Sequence, residues 1–232
     1  MKMRQRGVAL FVAMLMVLLA SLLVTTAART AWFGELVLGS EADYQRAFAN
    51  AQALLQDAEF DIQGRRPDGS PCRTQAQSDG SCRVRSAAAL AQGRPWFPQD
   101  GREEFTRLQD FLAARTPSCV QGICIGRQLT PEFWNLPSDS PALDNMKRGA
   151  AHYGEFTGAP SALASNPLLM TQAWYWVEVL PFDAEQVSPT TDAMAPDVDN
   201  PFVFRITVLA DGRKPSTRAV LQSLFVWKRI DS

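Results

Sequence analysis

The 232-residue chain carries 23 Lys plus Arg against 24 Asp plus Glu, a formal net charge of -1, with 46% hydrophobic and 20% charged residues. That apolar content excludes a disordered chain, and the near-neutral charge argues against a nucleic-acid binder held mainly by phosphate contacts. A single histidine, His152, and four cysteines leave little material for a multi-histidine metal site.

The averages conceal an uneven chain. Residues 1–7, MKMRQRG, hold Lys2, Arg4 and Arg6 and no acid; nothing charged follows until Arg29, and the first acid is Glu35. As a helix, residues 8–28 would be roughly 31 Å long, close to the thickness of bilayer hydrocarbon. Basic residues on the short N-terminal side keep that end cytoplasmic and send everything after residue 28 across the membrane. Three readings compete for this segment. A cleavable secretory signal could use Thr25 and Ala27 as its small-residue site, but its apolar core is normally only about 7–15 residues. A plain anchor fits the length. The third reading uses the junction of a short basic leader, ending in Gly7, with the apolar helix.

No proline occurs before Pro67, so nothing obligatory breaks a helix begun near Val8. Apolar residues at Tyr44, Ala47, Phe48, Ala51, Leu54, Leu55, Ala58 and Ile62 recur in steps of three and four, one stripe on one helix face. Glu41, Gln45, Arg46, Gln52, Gln56, Asp57 and Glu59 read as a solvated flank. Gly34 and Gly39 could permit a bend. A single helix over 8–62 would be about 82 Å long. The plainer alternative is a membrane helix followed by a separate amphipathic one.

From Gln63 the texture turns to Gly, Pro, Ser and Asp, a loop. Residues 93–170 are rich in proline with scattered aromatics. A short helix is expected near 102–114, where Phe105, Leu108, Phe111 and Leu112 have helical spacing, and irregular loops elsewhere. Three strands close the chain: Ala173–Leu180, ended by Pro181; Phe202–Ala210, with Phe202, Phe204, Ile206 and Val208 on one face; and a return over Thr217–Lys228 after the Asp211-Gly212 turn. An antiparallel meander of this kind needs a cover for its apolar face, and the amphipathic half of the long helix can provide it.

Four cysteines in an exported domain suggest two disulfides, with three possible connectivities. The local pairs Cys72–Cys82 and Cys119–Cys124 are favoured; a four-cysteine zinc site is the alternative, but only the second pair has knuckle spacing. The search for chemistry returns little. His152 has no nucleophile elbow beside it. Asp197 and Asp199 lack the further ligands of a calcium loop. Trp174, Trp176 and Trp227 read as packing residues in strands. No catalytic residue, metal site or cofactor is expected.

The junction Arg4-Gln5-Arg6-Gly7-Val8-Ala9-Leu10 resembles the class III signal of type IV pilins and pseudopilins. In that family prepilin peptidase cuts after the glycine and methylates the new N-terminus, which here would be Val8. The phrase RGVAL before an apolar run looks most like the PilX-type minor pilins, and also like the K-type minor pseudopilins of type II secretion. The strand phrases WYWVEVL, FRITVLADG and RAVLQSLF are similar to those closing PilX-type chains; residues 65–170 carry no such likeness. One departure stands out: major pilins have a glutamate at the fifth mature position, and this chain has Val12. That argues against a shaft subunit and agrees with a place at the filament tip.

The resemblance implies an α+β, pilin-like fold, with the long N-terminal helix packed on an antiparallel sheet. It implies a leader (1–7), a transmembrane and filament-core helix (8–28), its amphipathic continuation (29–62) and a periplasmic domain (63–232). The implied function is that of a non-enzymatic minor pilin that primes or caps a type IV pilus in adhesion or twitching. Its implied partners are prepilin peptidase, the inner membrane, the other minor pilins, the major pilin and a large tip adhesin, with no nucleic acid. A K-type pseudopilin is the nearest alternative, although those chains are usually longer. A membrane-anchored exported enzyme or binding protein, with its site in the middle of the chain, is the alternative of another class.

Overall fold

The computed structural model describes residues 5–72, 82–99, 101–115, 119–125, 132–159, 172–183, 195–197, 200–215 and 217–228. The chain divides into two units, Met1–Asp43 and Tyr44–Ser232. Helix α1 runs over Gln5–Gln63 as one element, and Gly34 and Gly39 stay helical within it. With no proline to remove an internal hydrogen bond, two isolated glycines do not end it.

In the second unit, the apolar stripe of α1 forms the core. Ala47, Ala51, Leu54, Ala58 and Ile62 are all 1% exposed or less, while Phe48 and Leu55 sit at its margin. Three of the five are alanines, which let the helix axis approach a sheet closely. That sheet has five strands in the order β1-β2-β3-β4-β5: Cys119–Val120, Ile123–Ile125, Ala173–Pro181, Phe202–Asp211 and Arg218–Phe225. Tyr175, Val177 and Val179 on β3 join Phe204, Ile206 and Val208 on β4 in the same core as the helix stripe. Period-two alternation on the two strands sends these residues to one face. Helix α3, Gly101–Ala113, adds Leu108 and Leu112, with Phe105 and Phe111 at the edge.

The opposite face is covered at one end. Trp176 and Leu209 pack with Phe133 of a 3-10 turn (Phe133–Asn135) and with Leu143 and Met146 of helix α4 (Pro141–Arg148). The buried Trp176 indole N–H donates to the Met146 carbonyl at 3.0 Å, so this large side chain leaves no polar atom unpaired. A fifth short helix-like segment, α2 (Ala87–Ala91), is capped by the Ser86 hydroxyl, which accepts from the Ala89 N–H.

The three late strands form the expected antiparallel meander, though β5 is shorter than Thr217–Lys228. The described part of the middle of the chain holds more regular structure than its composition suggests. It contributes α2, α4 and the β1–β2 hairpin, and β2 pairs with β3 in parallel. The hairpin is turned by Gln121 and Gly122, both at positive φ (50° and 79°), as a two-residue turn between twisted strands requires. Its tip is wedged in place: the Gly122 N–H donates to the Gly149 carbonyl at 2.7 Å, and the Val177 N–H donates to the Gly122 carbonyl at 2.6 Å.

A Cβ at Gly122 would lie 2.7 Å from the Ala151 Cβ and 3.2 Å from the Tyr175 carbonyl oxygen, in a left-handed backbone conformation. Gly122→Ala is therefore expected to destabilise the domain by about 2–4 kcal/mol, from steric overlap with strain at positive φ. Chemical unfolding of the full chain in detergent checks this; a loss below about 0.5 kcal/mol would show that the hairpin tip is free to move.

Candidate functional site

In the first unit, every described residue from Val8 through Ala42 is exposed. The exposure takes in large side chains such as Phe11, Leu18, Leu23, Trp32 and Phe33, on all sides of α1. The helix is long and apolar enough to cross a membrane. Apolar side chains on every face have no stable place in water, so this helix requires lipid or other helices around it. Its hydroxyls are turned inward: those of Ser21, Thr25, Thr26 and Thr30 donate to helix carbonyls three or four residues back, at 2.8–3.1 Å. Gly7, Val8 and Val12 all lie in α1, Val8 at 64% and Val12 at 46% exposure. Val12 adds no charge to the apolar surface.

The second unit is organised around a buried ion pair. Arg83 Nε and Nη2 donate to the two oxygens of Asp61 at 2.8 Å each, with side-chain exposures of 6% and 1%. Arg83 Nη2 also donates to the Gln121 carbonyl at 2.7 Å, and Nη1 to the Pro95 carbonyl at 3.3 Å. The guanidinium lies 3.6 Å from the centre of the Phe156 ring and 5.1 Å from that of Phe97. On the other side of the carboxylate, the Tyr175 hydroxyl donates to Asp61 Oδ2 at 2.7 Å. Burial disfavours the Arg83 charge, but Asp61 outweighs that and holds its pKa above the ordinary arginine value. Burial, reinforced by Asp61, pushes the Tyr175 phenol well above its usual value, so it remains a neutral donor. A cavity of about 50 Å³ beside Arg83, lined by Ile62, Trp96 and Phe97 among others, has room for water but not for an organic substrate.

One turn before Asp61, Asp57 is also buried, and among the described residues it forms no ion pair. Its Oδ2 accepts from the Gly154 N–H at 2.8 Å, and its Oδ1 accepts from the Thr157 hydroxyl. This corrects the reading of Asp57 as part of a solvated flank: the carboxylate anchors the loop after α4 to the helix. Burial raises its pKa from 3.8 to about 6, against the two hydrogen bonds, with a smaller push from Asp61.

Cys72 is bonded to Cys82 and Cys119 to Cys124, at 2.07 and 2.09 Å. The first bond closes the segment that delivers Arg83; the second crosses the β1–β2 hairpin, whose register sets the two cysteines opposite each other. His152 places its Nδ1 3.1 Å from the Ala173 carbonyl oxygen and its ring near Trp174. Asp197 falls in a short described stretch, and Asp199 lies outside the described residues. Among the described residues no three His, Cys, Asp or Glu side chains gather as metal ligands. The described residues thus combine a helix exposed on every face in the first unit with a buried polar cluster in the second.

The family model "Type IV pilus assembly protein PilX C-term" matches residues 71–227, about two thirds of the chain. The chain belongs to the PilX family. The match covers residues 71–170 of the middle stretch, and it takes in Arg83, both disulfides and all five strands. No curated protein and no solved structure matches the chain. As a PilX-family protein it is a structural component of type IV pilus assembly, working with other pilus components, and its apolar N-terminal helix is consistent with membrane anchoring.

Sequence reasoning missed the buried cluster. A signal was present: Asn50, Asp57 and Asp61, spaced seven and four apart, keep to the same side of the helix as Leu54, Ala58 and Ile62, and all three are buried. Polar residues repeating inside an apolar stripe call for buried partners. Arg83 and Tyr175, distant in sequence, could not be assigned to them without the fold.

Two outcomes follow for this PilX-family domain. Arg83→Met leaves the buried Asp61 carboxyl without its cation, at a cost of about 3–5 kcal/mol in unfolding free energy. Adding Asp61→Asn to it recovers a substantial part; a double variant no more stable than the single one would locate the loss elsewhere. For Asp57, the folded chain holds a proton between about 6 and 3.8 that the unfolded chain releases. Its contribution is therefore fully present below 3.8 and is lost as pH rises through 6. From pH 7 to pH 5 the wild-type chain should gain about 1 kcal/mol relative to Asp57→Asn, read from paired unfolding curves. Parallel pH profiles would exclude a raised Asp57 pKa.

Proposed function

We propose that the chain is a minor pilin that primes or caps assembly of a type IV pilus, in support of adhesion and twitching. The observation that carries this is the join of a PilX-family domain to an N-terminal helix exposed on every face and preceded by a basic leader ending in Gly7. In this reading prepilin peptidase cuts between Gly7 and Val8 on the cytoplasmic face and methylates Val8. Residues 8–28 hold the chain in the inner membrane, with residues 63–232 in the periplasm, and then move into the helix bundle of the filament. Lipid tails and apolar side chains offer the helix comparable surroundings, so packing and helix association decide the exchange. The absence of a carboxylate at Val12 supports a terminal place, because no charge on this helix asks for the N-terminal amine of a neighbouring subunit. The other minor pilins, the major pilin and a large tip adhesin are the partners that this place requires. The family match favours the pilus over a K-type role in type II secretion.

N-terminal sequencing of the chain from membranes tests the reading. A start at N-methylated Val8 is expected in the native protein, and Gly7→Ala should leave the leader attached and abolish surface pili. A start near Ala28, or normal maturation of Gly7→Ala, would sink the proposal.

A further inference from the structure

Length alone leaves the depth of α1 in a membrane open. Apart from Arg29 and Glu35, residues 8–38 carry no charge, and apolar exposure continues to the end of that run. Trp32 and Phe33 are 69% and 66% exposed, Val37 and Leu38 67% and 70%. As helix, residues 8–38 span about 46 Å, against about 30 Å of bilayer hydrocarbon. A helix longer than the bilayer can tilt or slide, and anchoring groups rather than length decide where it rests.

Arg29 is the first charge after Arg6, and it is exposed. Its neighbours on the helix surface, three and four residues away, are Thr25, Thr26, Trp32 and Phe33, none of them an acid. Glu35 stands six residues on, about 120° round the helix. Among the described residues α1 therefore supplies Arg29 with no carboxylate, and sets an aromatic pair beside it.

Charge then selects a depth and a partner. Sliding the end of the run into hydrocarbon would bury both Arg29 and Glu35, which is costly. With residues 8–28 in the hydrocarbon instead, Arg29 reaches the boundary where headgroup phosphates lie, and its long stem lets the charge stay there. Trp32 and Phe33 follow one turn later, and amphipathic indole rings favour that layer. A guanidinium matches a phosphate, two parallel N–H donors meeting two oxygens. Aliphatic surface, cation, aromatic pair and carboxylate thus succeed one another along α1 in the order a phospholipid leaflet presents from its interior outward.

We propose that Arg29 binds the phosphate of a phospholipid headgroup, with Trp32 in the same layer, and that this contact sets the depth of α1. The proposal rests on the membrane reading of residues 8–28. It needs neither cleavage at Gly7 nor a filament, so its failure is separable from failure of the pilus reading.

The test reconstitutes the full chain in vesicles of phosphatidylethanolamine and phosphatidylglycerol. Trp32 is the only tryptophan of α1, and subtracting the Trp32→Phe variant isolates its fluorescence. Lipids brominated near the headgroup should quench it at least about twofold more than lipids brominated near the chain ends. Arg29→Leu extends the apolar run, so Trp32 should sink and that ratio should fall by about twofold or more, while Arg29→Lys keeps it. In vesicles of a galactolipid, which has no phosphate, the wild-type ratio should fall to that of Arg29→Leu. The proposal is overturned if Arg29→Leu matches the wild type, if the galactolipid leaves the ratio unchanged, or if Trp32 is quenched by neither lipid while the chain floats with the vesicles. A chain that does not float with them overturns the membrane reading as well.

Discussion

The pairing of Arg83 with Asp61 is the constraint on which the globular unit depends. One guanidinium ties the end of α1 to the segment closed by Cys72–Cys82, to the β1–β2 turn through Gln121 and to the Pro95 segment, while Tyr175 brings β3 to the same carboxylate. Five segments far apart in sequence meet at two side chains. A buried ion pair adds little net stability over an apolar pair of equal size, because desolvation offsets the attraction. What it supplies is selection among packings. An apolar stripe of alanines and leucines could slide along a sheet with small loss, but a buried carboxylate has one place where three donors meet it.

Asp57 has the same effect with weaker means. It fixes the loop of Gly154 and Thr157 with two hydrogen bonds, and burial makes its carboxyl reluctant to ionise. The helix therefore offers a row of polar anchors beside the apolar stripe, and the irregular middle of the chain is organised by attachment to them. Among its described residues, α4 and the 3-10 turn bury Phe133, Leu143 and Met146 against Trp176, Phe97, Leu108, Leu112 and Ile123 join the main core, and the hairpin is fixed by its disulfide and wedged tip.

Regular periodicity made the outer parts of the fold legible. The 3.6-residue stripe of Ala47 to Ile62 and the alternation of Phe202 to Val208 each name a buried face, and together they state that a helix covers a sheet. The β1–β2 hairpin was hidden because strands of two and three residues carry no pattern, and only Gln121-Gly122 hinted at its turn. Parallel pairing of β2 with β3 is a long-range event with no local signature. Asp57, Asp61 and Arg83 were hidden for another reason: a charged residue in a sequence reads as solvated until the fold supplies its partner. The junction at Gly7 and Val8 was legible because it is a short motif whose meaning lies in processing chemistry rather than in packing.

The hydroxyls of α1 turned back on their own helix have a further consequence. A side chain that bonds to the carbonyl one turn earlier makes no directional demand on whatever lies outside. Ser21, Thr25, Thr26 and Thr30 thus add polar atoms to the segment without adding an address for any particular neighbour. Such a helix can exchange one apolar environment for another, acyl chains for aliphatic side chains, without breaking a hydrogen bond on the way. For the uncharged residues 8–28, the energy of that exchange then depends on how well a surface of Leu, Val, Met and Phe fits the grooves it meets.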